Sequence, residues 1–100
     1  MLAPKNKKLI NVYWVVGLVS LRKKLNAQII IRKLKKKGII ARPFFWPMSK
    51  QKPLKIFIKN HKDKFSNSDF ISKYGFYIPS FEGIKKKELD FIIKCLNKIK

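Results

Sequence analysis

Acid is scarce in this sequence. Asp63, Asp69, Glu82, Glu88 and Asp90 are its five carboxylates, spread through 100 residues, and they form no catalytic constellation. Glu88 and Asp90 belong to a helical pattern whose other face is lysine-rich, so both read as surface charges. One cysteine, Cys95, excludes an internal disulfide and a cysteine-rich zinc site. It falls in the same helical pattern, where a half-buried bystander thiol is the default. The one histidine, His61, lies among lysine and asparagine with no second ligand-type cluster beside it, and reads as a solvated loop residue. There is no Gly-rich phosphate loop, no pair of metal ligands and no Ser-His-Asp set. Long apolar runs are missing too. "VYWVVGLV", residues 12–19, is too short to cross a bilayer, which takes about 20 apolar residues. Its basic flanks resemble those of a signal peptide, but Arg22-Lys23-Lys24 follows it where a small-residue cleavage site would stand. The expectation is a cytoplasmic chain with no membrane segment.

What abounds is positive charge, a formal net of +20. The first reading of such a charge is an anionic partner, nucleic acid or a membrane surface. Yet 22 of the 25 cations are lysine and three are arginine (Arg22, Arg32, Arg42). Bidentate recognition of phosphate and bases prefers arginine. Lys, Ile and Asn together make 42 of the 100 residues, the bias of an AT-rich coding sequence that fills solvated positions with lysine. Both readings stay open: a solvated surface of biased composition, and a polyanion site.

One hundred residues make one small domain near the low end of what buries an adequate core, with residues 1–10 as a loose lead-in. An apolar content of 46% rules out disorder by composition. Residues 12–19 are apolar on both alternating sets, which predicts a strand covered on both faces, as in an α/β layer structure. Residues 21–38 place Ala27, Ile30, Ile31 and Leu34 on one helical stripe, with Leu25 and Ile29 off it. Three lysines suit the C-terminal dipole of that helix and Gly38 stops it. Ile39-Ile40 begins an extended piece leading to Arg42-Pro43. Residues 43–64, with three prolines and a lysine-rich tract, read as a long loop. "FSNSDFISKYG" reads as a helix capped by Ser66 or Asn67 and ended by Gly75. "FYIPS" reads as a strand stopped by Pro79. Residues 84–100 read as a terminal helix with Leu89, Ile92, Ile93, Leu96 and Ile99 on one face. The order β-α-β-loop-α-β-α predicts an α/β (α+β) fold, a small antiparallel or mixed three-stranded sheet packed with about three helices.

The segment "GIIARPFFWPMSKQ", residues 38–51, is unlike an ordinary polar loop. Two prolines fix φ on either side of Phe44-Phe45-Trp46, which lowers the entropy of holding those rings in place. Rings on a pre-ordered loop bury against something: the domain's own core, a partner protein, or a flat ligand. Arg42 at its edge can hold a carboxylate or phosphate with a bidentate pair, or hydrogen-bond loop carbonyls.

"NVYWVVGLV", a helix closing in "LKKKGIIARPFFWPMSKQKP", then "SKYGFYIPS" and an acid-containing terminal helix together resemble, in order and spacing, the C-terminal end of the DegT/DnrJ/EryC1/StrS aminotransferases. These are pyridoxal-phosphate-dependent enzymes that aminate keto-sugars on nucleotides. The wording around Arg42-Pro43-Phe44-Phe45-Trp46-Pro47 is most similar to the perosamine-synthetase branch, and the resemblance runs from about Asn11 to the end. It implies a fragment, the small C-terminal domain of a longer enzyme, encoded as a split, truncated or decayed gene. The family's Ser-x-x-Lys region with the Schiff-base lysine and its Gly-Glu-Gly-Gly turn are not found here. The resemblance therefore implies no catalytic, cofactor-binding or metal residue in this chain and no cofactor for it alone, with pyridoxal 5'-phosphate in the complete enzyme. Arg42, Phe44, Trp46 and Met48 would wall the pocket for the nucleotide-linked keto-sugar or the amino donor, near a homodimer interface and beside the large domain. Two departures stand out. Ser49 occupies the place where the family usually has histidine, and residues 54–64 are more lysine-rich than the pattern.

A different class of function fits the charge and the rings: a free-standing Lys-rich α/β module binding RNA or DNA, with Phe44, Phe45 and Trp46 as a stacking platform. A third is a remnant that dimerises with a full-length relative. Fragment status carries a physical expectation as well. The isolated chain should expose an apolar patch of several hundred Å² or more, and should be marginally stable or self-associate.

Overall fold

A computed structural model describes residues 14–59 and 64–99. The proposed lead-in 1–10, the start of the first strand, His61 and Asp63 lie outside the described residues.

The elements follow the expected order. Strand β1 is Val16–Val19, helix α1 Ala27–Lys35 and strand β2 Arg42–Pro43. A four-residue helix α2, Lys55–Ile58, then precedes α3, Ser66–Tyr74. Strand β3, Gly75–Ile78, follows α3 directly, and α4 is Lys86–Asn97. Among the described residues, the three strands form one antiparallel sheet in the order β1-β3-β2, with four helices. The fold is mixed α/β. In register, Val16 pairs with Ile78 and Leu18 with Phe76, while Arg42 pairs with Tyr77 and Pro43 with Phe76. Pro43 has no N–H to offer, which suits the outer side of this two-residue edge strand. The Phe44 N–H still reaches the Gly75 carbonyl at 3.0 Å.

Helix α1 starts later than its periodicity predicts. Asn26 is the cap, its Oδ1 accepting from the Ile29 N–H at 3.0 Å, and residues 21–25 are a turn before the helix. This explains why Leu25 lies off the stripe. Its other end is as expected: Gly38 adopts φ 77°, a left-handed backbone that glycine alone takes without penalty. Helix α3 departs from expectation at its start. Phe65 stands in the cap position with no side-chain cap, so neither Ser66 nor Asn67 serves. Asp69 in the first turn supplies the favourable negative charge instead. The segment after Pro43 is less loop-like than expected. Single 3₁₀ turns at Met48–Lys50 and Lys52–Leu54 run into α2.

One layer of core lies between the helices and one face of the sheet. Ala27, Ile30 and Leu34 of α1 meet Phe76 and Ile78 of β3, closed by Ile39, Ala41 and Ile92. The stripe expected on α1 is therefore the buried one. That of α4 is narrower than expected: Ile92 is buried and Leu96 and Ile99 pack at the margin, but Leu89 and Ile93 are exposed at 37% and 52%. Strand β1 is an edge strand, not one covered on both faces, and its Gly17 and Val19 are open to solvent.

Leu34 is fully buried at the centre of this layer. Leu34→Ala should cost about 2–5 kcal/mol, a large part of the ~5–15 kcal/mol typical of a domain. Urea unfolding followed by far-UV circular dichroism should show the midpoint collapse, whereas Leu89→Ala should move it little.

Candidate functional site: the outer sheet face and its aromatic strip

Alternation places Gly17, Val19, Gly75, Tyr77, Arg42 and Phe44 on the sheet face turned away from the helices. Two glycines lie diagonally across the β1–β3 pair there, and the ring of Phe44 fills the space they leave. A Cβ at Gly17 would come within 2.8 Å of Phe44 Cε2. One at Gly75 would sit 3.1 Å from Phe44 Cβ and run into the Ile71 carbonyl oxygen. Phe44 is thus half-buried, as a tie across the strands.

With Phe44 turned onto the sheet, Phe45 takes the exposed side. It meets Phe44 edge-on at 5.9 Å. It stacks on Tyr77 at 6.4 Å and on Trp14 at 6.4 Å. The result is a row, Trp14–Phe45–Tyr77, of which Trp14 is 74% and Phe45 59% exposed. Trp14 is held by its carbonyl, which accepts from Ser80 Oγ at 3.0 Å. Arg42, exposed and paired in register with Tyr77, borders the row. It lines a small cleft of about 260 Å³ with Trp14, Tyr77 and Ser80.

Of the residues singled out in the sequence, Arg42 and Phe44 share this face, with Phe44 as its support. Trp46 and Met48 stand exposed further along the loop, outside the cleft. Gln51 Nε2 donates to Met48 Sδ at 3.4 Å, and Pro47 between them is buried. Ser49 lines a separate shallow depression with Ile56 and Ile58. The residues that sequence reasoning missed are Trp14 and Tyr77; Phe45, expected in a stacking platform but not in the pocket wall, joins them here. The available signal was the period of two, which puts Arg42 and Phe44 on one face of their strand; that this is also the face of Tyr77 comes from the pairing register.

The electrostatics are those of a surface. All described lysines are exposed, and among the described residues no polar or charged side chain is buried. Lys50 Nζ lies 2.8 Å from Asp69 Oδ1, an oxygen shielded from water that makes no hydrogen bond of good geometry. The short distance still makes this an ion pair tying the aromatic loop to α3. With both side chains nearly half exposed it contributes under about 1 kcal/mol. Among the described residues, no three His, Cys, Asp or Glu come together to hold a metal, and no helix is long and apolar enough to cross a membrane.

The seating of Phe44 is testable by a double-mutant cycle. Gly17→Ala should destabilise by about 1–3 kcal/mol through overpacking. Phe44→Leu should cost less in the Gly17→Ala background than in the parent, because the two changes relieve one contact. Additive losses in urea unfolding would show that the ring and the glycine do not interact.

A search among curated proteins gives no match. The model of the DegT/DnrJ/EryC1/StrS aminotransferase family matches residues 1–97, nearly the whole sequence. With its ordered motifs and its aromatic loop anchored on a mixed α/β fold, the chain belongs to the DegT/DnrJ/EryC1/StrS aminotransferase family.

Proposed function

We propose that this chain is the small C-terminal domain of a nucleotide-sugar aminotransferase, one domain over residues 1–100. In this reading it supplies one wall of the substrate pocket and part of a homodimer interface, and acts in the cytoplasm. The observation that carries the reading is the Trp14–Phe45–Tyr77 row with Arg42 at its edge, on a chain that matches the family over residues 1–97. Solvent-facing Trp, Tyr, Phe, Met and Arg are the residue types that dominate contact surfaces. The rings offer flat faces to a planar group or to a partner's apolar side chains. Arg42, making no ion pair among the described residues, suits a carboxylate or phosphate by bidentate pairing. Trp46 and Met48, exposed on the same loop, extend the wall, and Phe44 holds it in place.

The family is generally pyridoxal-phosphate-dependent. A lysine that carries this cofactor must be desolvated to serve as a nucleophile. Every described lysine is exposed, and among the described residues no buried polar side chain is available to hold the cofactor's ring or phosphate. The described residues do not fit the group, so it belongs with a large domain, and the contribution of this chain is binding and orientation.

Reconstitution tests the reading. The chain is produced alone and together with a family large domain that carries the Schiff-base lysine. Transfer of an amino group to a nucleotide-linked keto-sugar is then measured. Alone it should show no transfer. Combined, it should restore transfer, and Arg42→Ala or Phe45→Ala should then lower kcat/KM about tenfold or more, the effect of losing ~1.4 kcal/mol or more of binding. Lys64→Ala should leave it unchanged. Failure of the two parts to associate, or restored transfer that is indifferent to both Arg42→Ala and Phe45→Ala, would sink the proposal.

The exposed lysines and rings also fit the nucleic-acid module, and one titration separates the two readings. Binding of a labelled single-stranded oligonucleotide should be weak, should fall steeply with salt, and should be indifferent to Trp46→Ala. A dedicated module would instead lose affinity on that change by the ~1–3 kcal/mol of a stacked base.

A further inference from the structure

A second, larger groove of about 710 Å³ opens beside Arg42, between the approach to β2 and the first turns of α4. We propose that it binds an amphipathic anion, a small molecule with an apolar body and a single carboxylate-type head. The inference goes beyond the pocket-wall reading and stands without it. Arg42 borders both places, but the groove uses none of the three stacked rings.

Three observations select this chemistry. The walls are apolar: Ile40, Phe81, Ile84 and Phe91 line the groove over a floor that includes the buried Ile92. Ile40, Phe81 and Phe91 each leave half or more of their surface in water, at 62%, 59% and 50%. The volume falls within the ~300–1,000 Å³ of small-molecule sites, which combine apolar walls with a few placed polar groups.

The polar groups are two cations and one acid: Arg42, Lys87 and Glu88. The acid is already engaged. Glu88 Oε2 accepts from the Lys85 N–H at 2.7 Å, closing the first turn of α4, and no ion pair joins it to Arg42 or Lys87 among the described residues. Two cations against one carboxylate leave the groove a net single positive charge at an apolar wall, within a chain whose net charge of +20 draws anions towards it.

The match is specific in its chemistry. A neutral apolar molecule would leave the cations without a partner. A strongly polar polyanion would leave the Ile40, Phe81 and Phe91 surfaces in water. One anionic head on an apolar body satisfies both, with the head at Arg42 and Lys87 and the body along the rings.

The test uses the full chain labelled with ¹⁵N, titrated with decanoate and, for comparison, with decanol. Amide shifts should concentrate at residues 39–42, 79–84 and 87–92, and decanoate should bind at least about tenfold more tightly than decanol, a factor worth ~1.4 kcal/mol. Lys87→Gln combined with Arg42→Gln should erase that preference, while Phe57→Ser, an exposed ring on α2, should change nothing. Spectral dispersion checks that each variant is folded. Should the double variant unfold, Lys87→Gln alone, at an exposed helix position, should still lower the preference for decanoate. Shifts spread equally over Trp46 and Phe57, equal binding of decanol, or decanoate affinity unaltered in the folded charge variants would each overturn the proposal.

Discussion

The contact on which this surface depends is the ring of Phe44 lying across Gly17 and Gly75. It joins three strands at once: the chain leaves β2, crosses the central strand at Gly75 and reaches the edge strand at Gly17. Glycine in a strand costs about 0.5–1 kcal/mol against alanine, and two of them would weaken so small a sheet if nothing replaced the missing side chains. Burying an aromatic ring returns about 1.5–3 kcal/mol when complete. Even the half-buried Phe44 roughly offsets the pair, and it also fixes the direction of the chain. From that direction the rest follows. Phe45 must turn outward, and turning outward it meets Tyr77 and Trp14.

The two faces of the sheet have opposite characters, and the asymmetry has a cost. The inner face meets α1 and α4 over eight buried apolar residues, while the outer face ends in exposed rings beside a Phe44 seated on two glycines. Large exposed apolar surface is uncommon on a monomer, and here it coexists with a charge of +20. These two features act against each other. The rings favour association, and the lysines repel a second copy of the same chain unless salt screens them, over a Debye length of ~8–10 Å. A cover for the outer face is therefore best supplied by a surface carrying acid, with the lysines left at its rim. This agrees with a domain that packs against a different domain more readily than against itself.

Much of this was legible in the sequence because period and punctuation agreed. The α1 stripe, Gly38 as its stop, Pro79 after β3 and the alternation of helix and strand all rest on local rules that tertiary contacts did not override. The failures share a different cause. The apolar stretch 12–19 has no polar alternation, and composition alone does not distinguish a strand covered on both faces from an edge strand whose second face awaits a partner. Leu89 and Ile93 fit the α4 stripe by angle, yet the sheet is too narrow to reach them. At the start of α3, position outweighed residue type: the chain turns into the helix at Phe65, one residue before Ser66 and two before Asn67. The aromatic loop reads as a surface in the sequence, but which of its rings faces outward depends on two glycines 58 residues apart.

Arg42 shows how a minimal strand positions a functional group. Its backbone is held by the pairing with Tyr77, and the proline after it ends the ladder one residue later. The Cα and the direction of the side chain are therefore set by the sheet, while no ion pair among the described residues holds the guanidinium. A head group fixed by its own ion pair would have to lose that bond before taking a ligand. One placed by backbone alone gives up only rotamer freedom, up to about 2 kcal/mol for a long side chain. A bidentate pair with an anion, shielded by the neighbouring rings, can exceed that cost because charge-assisted hydrogen bonds are roughly twice as strong as neutral ones. Arginine suits this position better than the lysine that fills the rest of the surface. Its planar fork can lie against Tyr77 or in the apolar groove, whereas an ammonium would keep its water.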